Sequence, residues 1–232
     1  MLTQNTALAL RPHDLGMAKT SATDPLAILF GSTARVKLLR FFLFNPSKEF
    51  TFDDICRRAK LVRRTARTEI TALEKAGVIV RRTLYIPVPG KSRKMKAIGY
   101  ALNKKFPELP ALQTFLFETA PISGKNLLSH LRTAGTPDCV AVCGVFVREF
   151  EQRLDVLLAM KKLDEAKVER AIRAFEAEIG IEIRFAALTS EDLLYRVGMH
   201  DRLTRDVFDY PHQLIVDRIG VGNELRPTGF AG

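Results

Sequence analysis

The stretch from Thr51 to Lys105 constrains this chain most. It sets two short helical patterns a few residues apart and follows them with two strand patterns joined at a basic tip. In "TFDDICRRA", Thr51 is placed as an N-cap, its hydroxyl accepting an orphan amide of the first turn. Asp54 takes the capping-box position, where it is a weaker partner than Glu. After the turn "KLV" comes "RRTARTEITALEKAG", where Val62, Ala66, Ile70, Leu73 and Ala76 form one apolar stripe and Gly77 follows the last turn. Arg63, Arg64, Arg67, Thr68 and Thr71 fall on the opposite face. The strand patterns are "VIVRRTLYI" and "MKAIGYALN", and their connection "PVPGKSRK" brings Lys91, Arg93, Lys94 and Lys96 to or beside the tip.

Charge follows the same division. Residues 31–105 hold 19 Lys and Arg against 5 Asp and Glu, a net +14, whereas residues 106–232 hold 15 against 19, a net −4. The first 30 residues cancel, so one segment carries all of the excess behind the overall +10. A basic excess confined to one compact unit is the footprint of nucleic-acid binding rather than of general solubility.

Upstream, "FGSTARVKLLRFFLFNP" has Val36, Leu38, Leu39, Phe42 and Leu43 at helical spacing behind Ser32, an N-cap candidate, with Pro46 beyond the end. Its Gly31-Ser32 pair imitates the phosphate-holding turn of nucleotidyltransferases. That turn needs two strand-borne carboxylates about ten residues on, and the next acids, Glu49, Asp53 and Asp54, lie beyond a helix. The stretch reads as a helix cap.

The phrase "TFDDICRRAKLVRRTARTEITALEKAGVIVRR", including its "LEKAGVI" close, resembles the winged helix-turn-helix family over roughly residues 30–105. The resemblance implies that the third helix enters the major groove and that the wing rests on the DNA backbone. Arg64 and Arg67 suit bidentate pairing with guanine; Thr65 and Thr68 suit a thymine methyl or a phosphate. Arg63, Lys91, Arg93 and Lys94 suit phosphates, which give affinity without sequence information; Thr71 completes the face.

"NKKFPELPALQTFLFETAPISG" reads as a linker helix within residues 106–122, with Leu112, Phe115 and Leu116 as a candidate dimer contact. Beyond it, strand and helix alternate: "CVAVCGVF", "RLDVLLAM" and "IEIRFAAL" as strands, "DEAKVERAIRAFEAEIG" as an amphipathic helix ended by Gly180, and "TSEDLLYRVGMHDRLTRDVFD" as helical with Thr189 or Ser190 capping. "HQLIV" fits a short strand or a turn. Residues 123–217 resemble the minimal nucleotidyltransferase domain, in which a Gly-Ser turn holds the triphosphate and a D-x-D pair on the next strand binds two metals. Here Val145 follows Gly144 in place of the serine, and Arg153 stands where the first carboxylate belongs, leaving Asp155 alone. Two metals require several anionic ligands, so the expectation is a catalytically inactive domain without metal or cofactor. Gly144, Arg153 and Asp155 are its candidate ligand-binding residues. Placed two apart on one strand face, Arg153 is expected to neutralise Asp155, either as a plug or as a receptor for a phosphate.

No apolar run approaches the ~18 residues of a transmembrane span, the N-terminus has no signal-peptide pattern, and Cys56, Cys139 and Cys143 suggest no disulfide framework. His130, His200 and His212 lack ligand spacing. The expected architecture is α+β: a tail (1–24), a winged helix (25–105), the linker (106–122), an α/β nucleotidyltransferase-like domain (123–219) and a second tail (220–232). The functional expectation is a cytoplasmic transcriptional regulator that binds double-stranded DNA, as a possible homodimer, with a nucleotide or protein effector at the C-terminal domain and no membrane. An active nucleotidyltransferase with a nucleic-acid-binding accessory domain is the alternative. An RNA-binding adaptor is disfavoured because the basic segment lacks exposed-looking aromatic pairs for base stacking.

Overall fold

The computed structural model describes residues 24–87 and 93–224, and they form an α+β structure of two packed units. The first unit runs α1 (Pro25–Leu29), α2 (Thr33–Leu43), β1 (Glu49–Thr51), α3 (Phe52–Arg58), α4 (Arg63–Lys75), β2 (Ile79–Pro87) and β3 (Lys94–Leu102). Its sheet is antiparallel with order β1-β3-β2. Local chemistry sets the helix starts. Ser32 Oγ accepts from the Arg35 amide, and Thr51 and Asp54 form the reciprocal capping box.

Packing of this unit revises two sequence expectations. On α4 the buried positions are Ala66, Ile70 and Leu73, but Val62 is 74% exposed and Ala76 is exposed too. Glu69 takes the fourth inward place, because its carboxylate meets Arg35 Nε at 2.8 Å instead of water. The linker helix is α5 (Leu109–Glu118), which lies on the first unit's core. Leu116 is fully buried there, which takes it out of any dimer contact, and Leu112 is half-buried against the same cluster. Phe115 alone of the three stays exposed, with its ring centroid 6.5 Å from that of Phe30.

The second unit runs α6 (Gly124–Leu131), β4 (Cys139–Val142), a 3-10 turn (Gly144–Phe146), β5 (Val156–Met160), α7 (Glu165–Ile179), β6 (Phe185–Thr189), α8 (Ser190–Gly198), α9 (Arg202–Phe208), β7 (Gln213–Asp217) and α10 (Val221–Glu224). The sheet order is β6-β5-β4-β7; β5 and β6 are parallel and the other pairs antiparallel. "HQLIV" is thus largely strand, and Val221, in the stretch read as a tail, is buried in the core. Period-two alternation explains why "CVAV" and "VLLAM" are apolar throughout. Val140, Val142, Val156, Leu158 and Met160 face α6 and α7, through Leu131, Ile172 and Phe175 among others. Cys139, Ala141, Cys143, Leu157 and Ala159 face α8, α9 and α10, through Leu193, Val207 and Val221. Burial pushes the Cys139 and Cys143 thiols up to about 12, so both behave as small apolar side chains.

The units meet where α2 crosses the end of α7. Gly180 closes α7 at φ +80°, and a Cβ there would lie 2.6 Å from the Arg40 carbonyl carbon and 2.7 Å from the Phe41 nitrogen. Arg40, 1% exposed, binds Asp24 Oδ2 at 2.7 Å and the Thr119 and Glu178 carbonyls at 3.3 and 3.5 Å. Asn45 Nδ2 donates to the Phe41 and Gly180 carbonyls at 2.8 and 2.9 Å. Among the described residues no helix is long and apolar enough to cross a membrane.

Candidate functional site

The basic face of the first unit is built on α4, which packs against α2, α3 and β2 with Ala66, Ile70 and Leu73 buried beneath it. Arg63, Arg64, Thr65, Arg67, Thr68 and Thr71 are all exposed on its other side. Five of these six, without Thr65, line one shallow groove, which also includes Ala72 and Lys75. Lys75 was missed by motif reading, although it stands one helical turn beyond Thr71 on the same face.

These residues are not equivalent. Arg63 pairs with Asp53 and lies over the Phe52 ring, 5.1 Å from its centroid, which fastens the start of α4 to α3. Arg67 lies over the same ring at 5.4 Å and has no carboxylate partner among the described residues. Arg64 likewise forms no ion pair with a described residue. Thr68 and Thr71 donate their hydroxyls back to the Arg64 and Arg67 carbonyls at 3.2 and 2.9 Å, so they present methyl groups and lone pairs outward. Among the described residues Arg64, Arg67 and Lys75 therefore have no carboxylate partner on this helix, and only Arg67 of the three rests on an aromatic ring.

On the hairpin, Arg93, Lys94 and Lys96 are exposed, while Lys91 lies outside the described residues. Arg81 is occupied by Glu74, whose hydrogen bond and charge at 2.7 Å raise the guanidinium's already high pKa.

In the second unit, Gly144 opens the turn after β4 at φ +53°, and a Cβ there would lie 2.0 Å from Asp155 Oδ1. The turn's amides are already engaged: Gly144 N–H donates to Gln152 Oε1 and Val145 N–H to Asp155 Oδ1 at 3.0 Å. Asp155 is fully buried and takes three more donors from Arg184: its amide at 2.9 Å, Nε at 3.0 Å and Nη2 at 2.9 Å. Hydrogen bonding to Asp155 holds the Arg184 guanidinium above its ordinary pKa.

Arg153 does not neutralise Asp155, contrary to the strand-alternation argument. The strand begins at Val156, so residues 153 and 155 lie in the approach to it and do not share a face. Arg153 turns outward to Asp206, 3.6 Å away, beside a cavity of about 350 Å³ that Glu149, Glu151 and Tyr210 also line. The partner of Asp155 comes from the neighbouring chain segment instead: the parallel register Val156↔Phe185 brings Arg184 alongside it. The strand read from "IEIRFAAL" starts only at Phe185, which leaves Glu182 outside it. Glu182 reaches across to the first unit, binding Lys48 Nζ and Arg58 Nη2, each at 2.7 Å. Among the described residues no cluster of three or more His, Cys, Asp or Glu could hold a metal.

Comparison with protein families, with curated proteins and with solved structures gives no match to this chain.

Proposed function

We propose that the chain is a DNA-binding transcriptional regulator with a winged-helix first unit and a nucleotidyltransferase-like, catalytically inactive second unit. The observation that carries the reading is the α4 face, where Arg64 and Arg67 project without carboxylate partners among the described residues, beside Thr68 and Thr71. Arg pairs bidentately with guanine in the major groove, and a helix is the element that fits there. The order of elements from α2 to β3, with an antiparallel β2–β3 hairpin bearing Arg93 and Lys94, supports α4 as the recognition helix and the hairpin as a backbone-binding wing.

Inactivity of the second unit is supported by Asp155. Its four hydrogen bonds to Val145 and Arg184 leave no lone pair directed at a metal, and the turn after β4 spends its amides on Gln152 and Asp155 rather than on a phosphate. The unit then serves sensing, partner binding or dimerisation. No observation favours the transferase alternative.

The test is a gel shift of the full chain with duplex DNA at rising salt. Each neutralised phosphate releases counterions, so about six contacts give a fall of roughly a thousandfold between ~50 and ~200 mM salt. Affinity that hardly changes with salt would overturn the reading.

A further inference from the structure

The cavity between α3 and α7 is distinct from the α4 groove and from the turn at Gly144. It has a volume of about 520 Å³ and is formed by both units: Arg57, Arg58 and Lys60 on one wall, Arg170 and Arg173 on the other. Phe41, Gly180 and Ile181 supply a less polar part of the lining.

Three carboxylates also line it, and each is committed. Glu176 accepts from Arg173 Nη1 at 3.0 Å and from the Ile183 amide at 2.8 Å. Glu182 is shared by Arg58 and Lys48, and Glu169 lies 3.5 Å from Arg173. Arg58 is further held with its guanidinium over the Phe41 and Phe50 rings, at 5.4 and 5.0 Å. Lys60 and Arg170 are different: among the described residues neither has a carboxylate partner, and the Lys60 ammonium reaches only the Arg170 carbonyl, at 3.4 Å. Two cations without a carboxylate partner among the described residues, one from each unit, therefore face one recess whose three acids each already have a cationic partner. Like charges converging on a recess with low-dielectric walls raise the local concentration of anions.

We propose that this cleft binds a phosphate-bearing small molecule of nucleotide size, with the phosphates between Lys60 and Arg170. The cleft is within the usual range of ligand sites, ~300–1,000 Å³. Lys supplies a compact charge and Arg a planar fork that matches phosphate oxygens, while the Phe41 and Ile181 side accepts a flat apolar part. The ligand touches both units, and α3 leads directly into the turn before α4, so occupancy ties the basic helix to the second unit. That last consequence alone rests on the DNA-binding reading.

Calorimetry of the full chain with ATP and with pyrophosphate, in chelator and at fixed ionic strength, tests the site. One saturable site per chain is expected for ATP, with a thermal midpoint that rises with ATP concentration. Arg170→Ala should weaken binding about tenfold or more, the loss expected for one charge-assisted hydrogen bond. Lys60→Asn should do the same; Lys60 has φ +49°, a left-handed conformation that Asn tolerates, so the fold is kept. The double variant Arg64→Ala/Arg67→Ala removes twice the charge of either cleft variant, but elsewhere, and should keep the wild-type ATP affinity.

Absence of saturable ATP binding up to about 1 mM, the weak end of the affinity scale, would overturn the site. So would equal losses in the cleft and α4 variants, which would mean diffuse counterion binding only, or pyrophosphate binding without ATP binding. A chain that binds ATP in the cleft but ignores duplex DNA refutes the DNA reading and leaves this site standing; the converse result refutes the site alone.

Discussion

Replacing Asp155 by Ala separates a structural plug from a disused or active metal site. In the wild type the carboxylate is fully buried and accepts four hydrogen bonds, two from the backbone amides of Val145 and Arg184 and two from the Arg184 guanidinium. Removing it strands two amides at about 1–3 kcal/mol each. The guanidinium is 44% exposed and can turn to water, so its loss adds less than the ~3–5 kcal/mol of a wholly buried pair. A net destabilisation of about 3 kcal/mol follows. For a chain of this length each kcal/mol shifts the midpoint by ~2–4 °C, so thermal unfolding should move down by about 6–12 °C. Asp155→Asn keeps the volume and one acceptor and should fall between the two. The assay is urea and thermal denaturation of purified wild type and variants, with and without Mg²⁺ or Mn²⁺. A carboxylate kept for metal binding behaves oppositely, because strained functional groups are commonly stabilised by removal. An Asp155→Ala protein at least as stable as wild type, together with a wild-type midpoint raised by metal, would refute the plug.

Arg64→Ala or Arg67→Ala should each cost roughly 1–3 kcal/mol on the preferred DNA site and relax base preference there, whereas Arg93→Ala or Lys94→Ala should weaken all sequences about equally; binding-site selection on each variant decides, and unchanged preference in the α4 variants would misplace the recognition helix. Gly180→Ala meets backbone atoms of Arg40 and Phe41, while Gly77→Ala, at a similar φ of +76°, meets nothing within 4 Å. Denaturation should therefore show about 1 kcal/mol lost for Gly77→Ala, the cost of a left-handed alanine, and clearly more for Gly180→Ala; equal losses would mean that the units do not pack there in solution. The Lys48 hydrogen bond and the Arg58 charge hold the Glu182 carboxyl below its ordinary value of 4.5 against the opposing effect of its partial burial. A depressed folded-state pKa gives stability that is present above the unfolded value and lost as pH falls through the folded one. Stability should accordingly decline below about pH 4.5, less steeply in Glu182→Gln; parallel wild-type and variant curves from pH-dependent melting would count against the ion pair.

Residues whose environment is set within one turn or one strand were legible in the sequence. Ser32, Thr51 and Asp54 cap their helices because capping joins positions three apart, and the run from Cys139 to Val142 declared a strand covered on both faces. The exposed cationic face of α4 was legible for the same reason, since 3.6-residue periodicity puts Arg64, Arg67, Thr68 and Thr71 together. Pairings across the chain were not. Arg184 meets Asp155 only through a parallel register between strands 29 residues apart, and Glu182 meets Lys48 across 134 residues of sequence. Arg40 reads as an ordinary polar position on an amphipathic helix, yet it is buried because α7 closes over it at a glycine that permits backbone contact. The two units are therefore joined by charges that local patterning assigns to solvent. Lys60 and Arg170 are informative by contrast: Arg40, Lys48 and Arg58 found carboxylates at the junction, whereas these two, which line one recess, have none among the described residues.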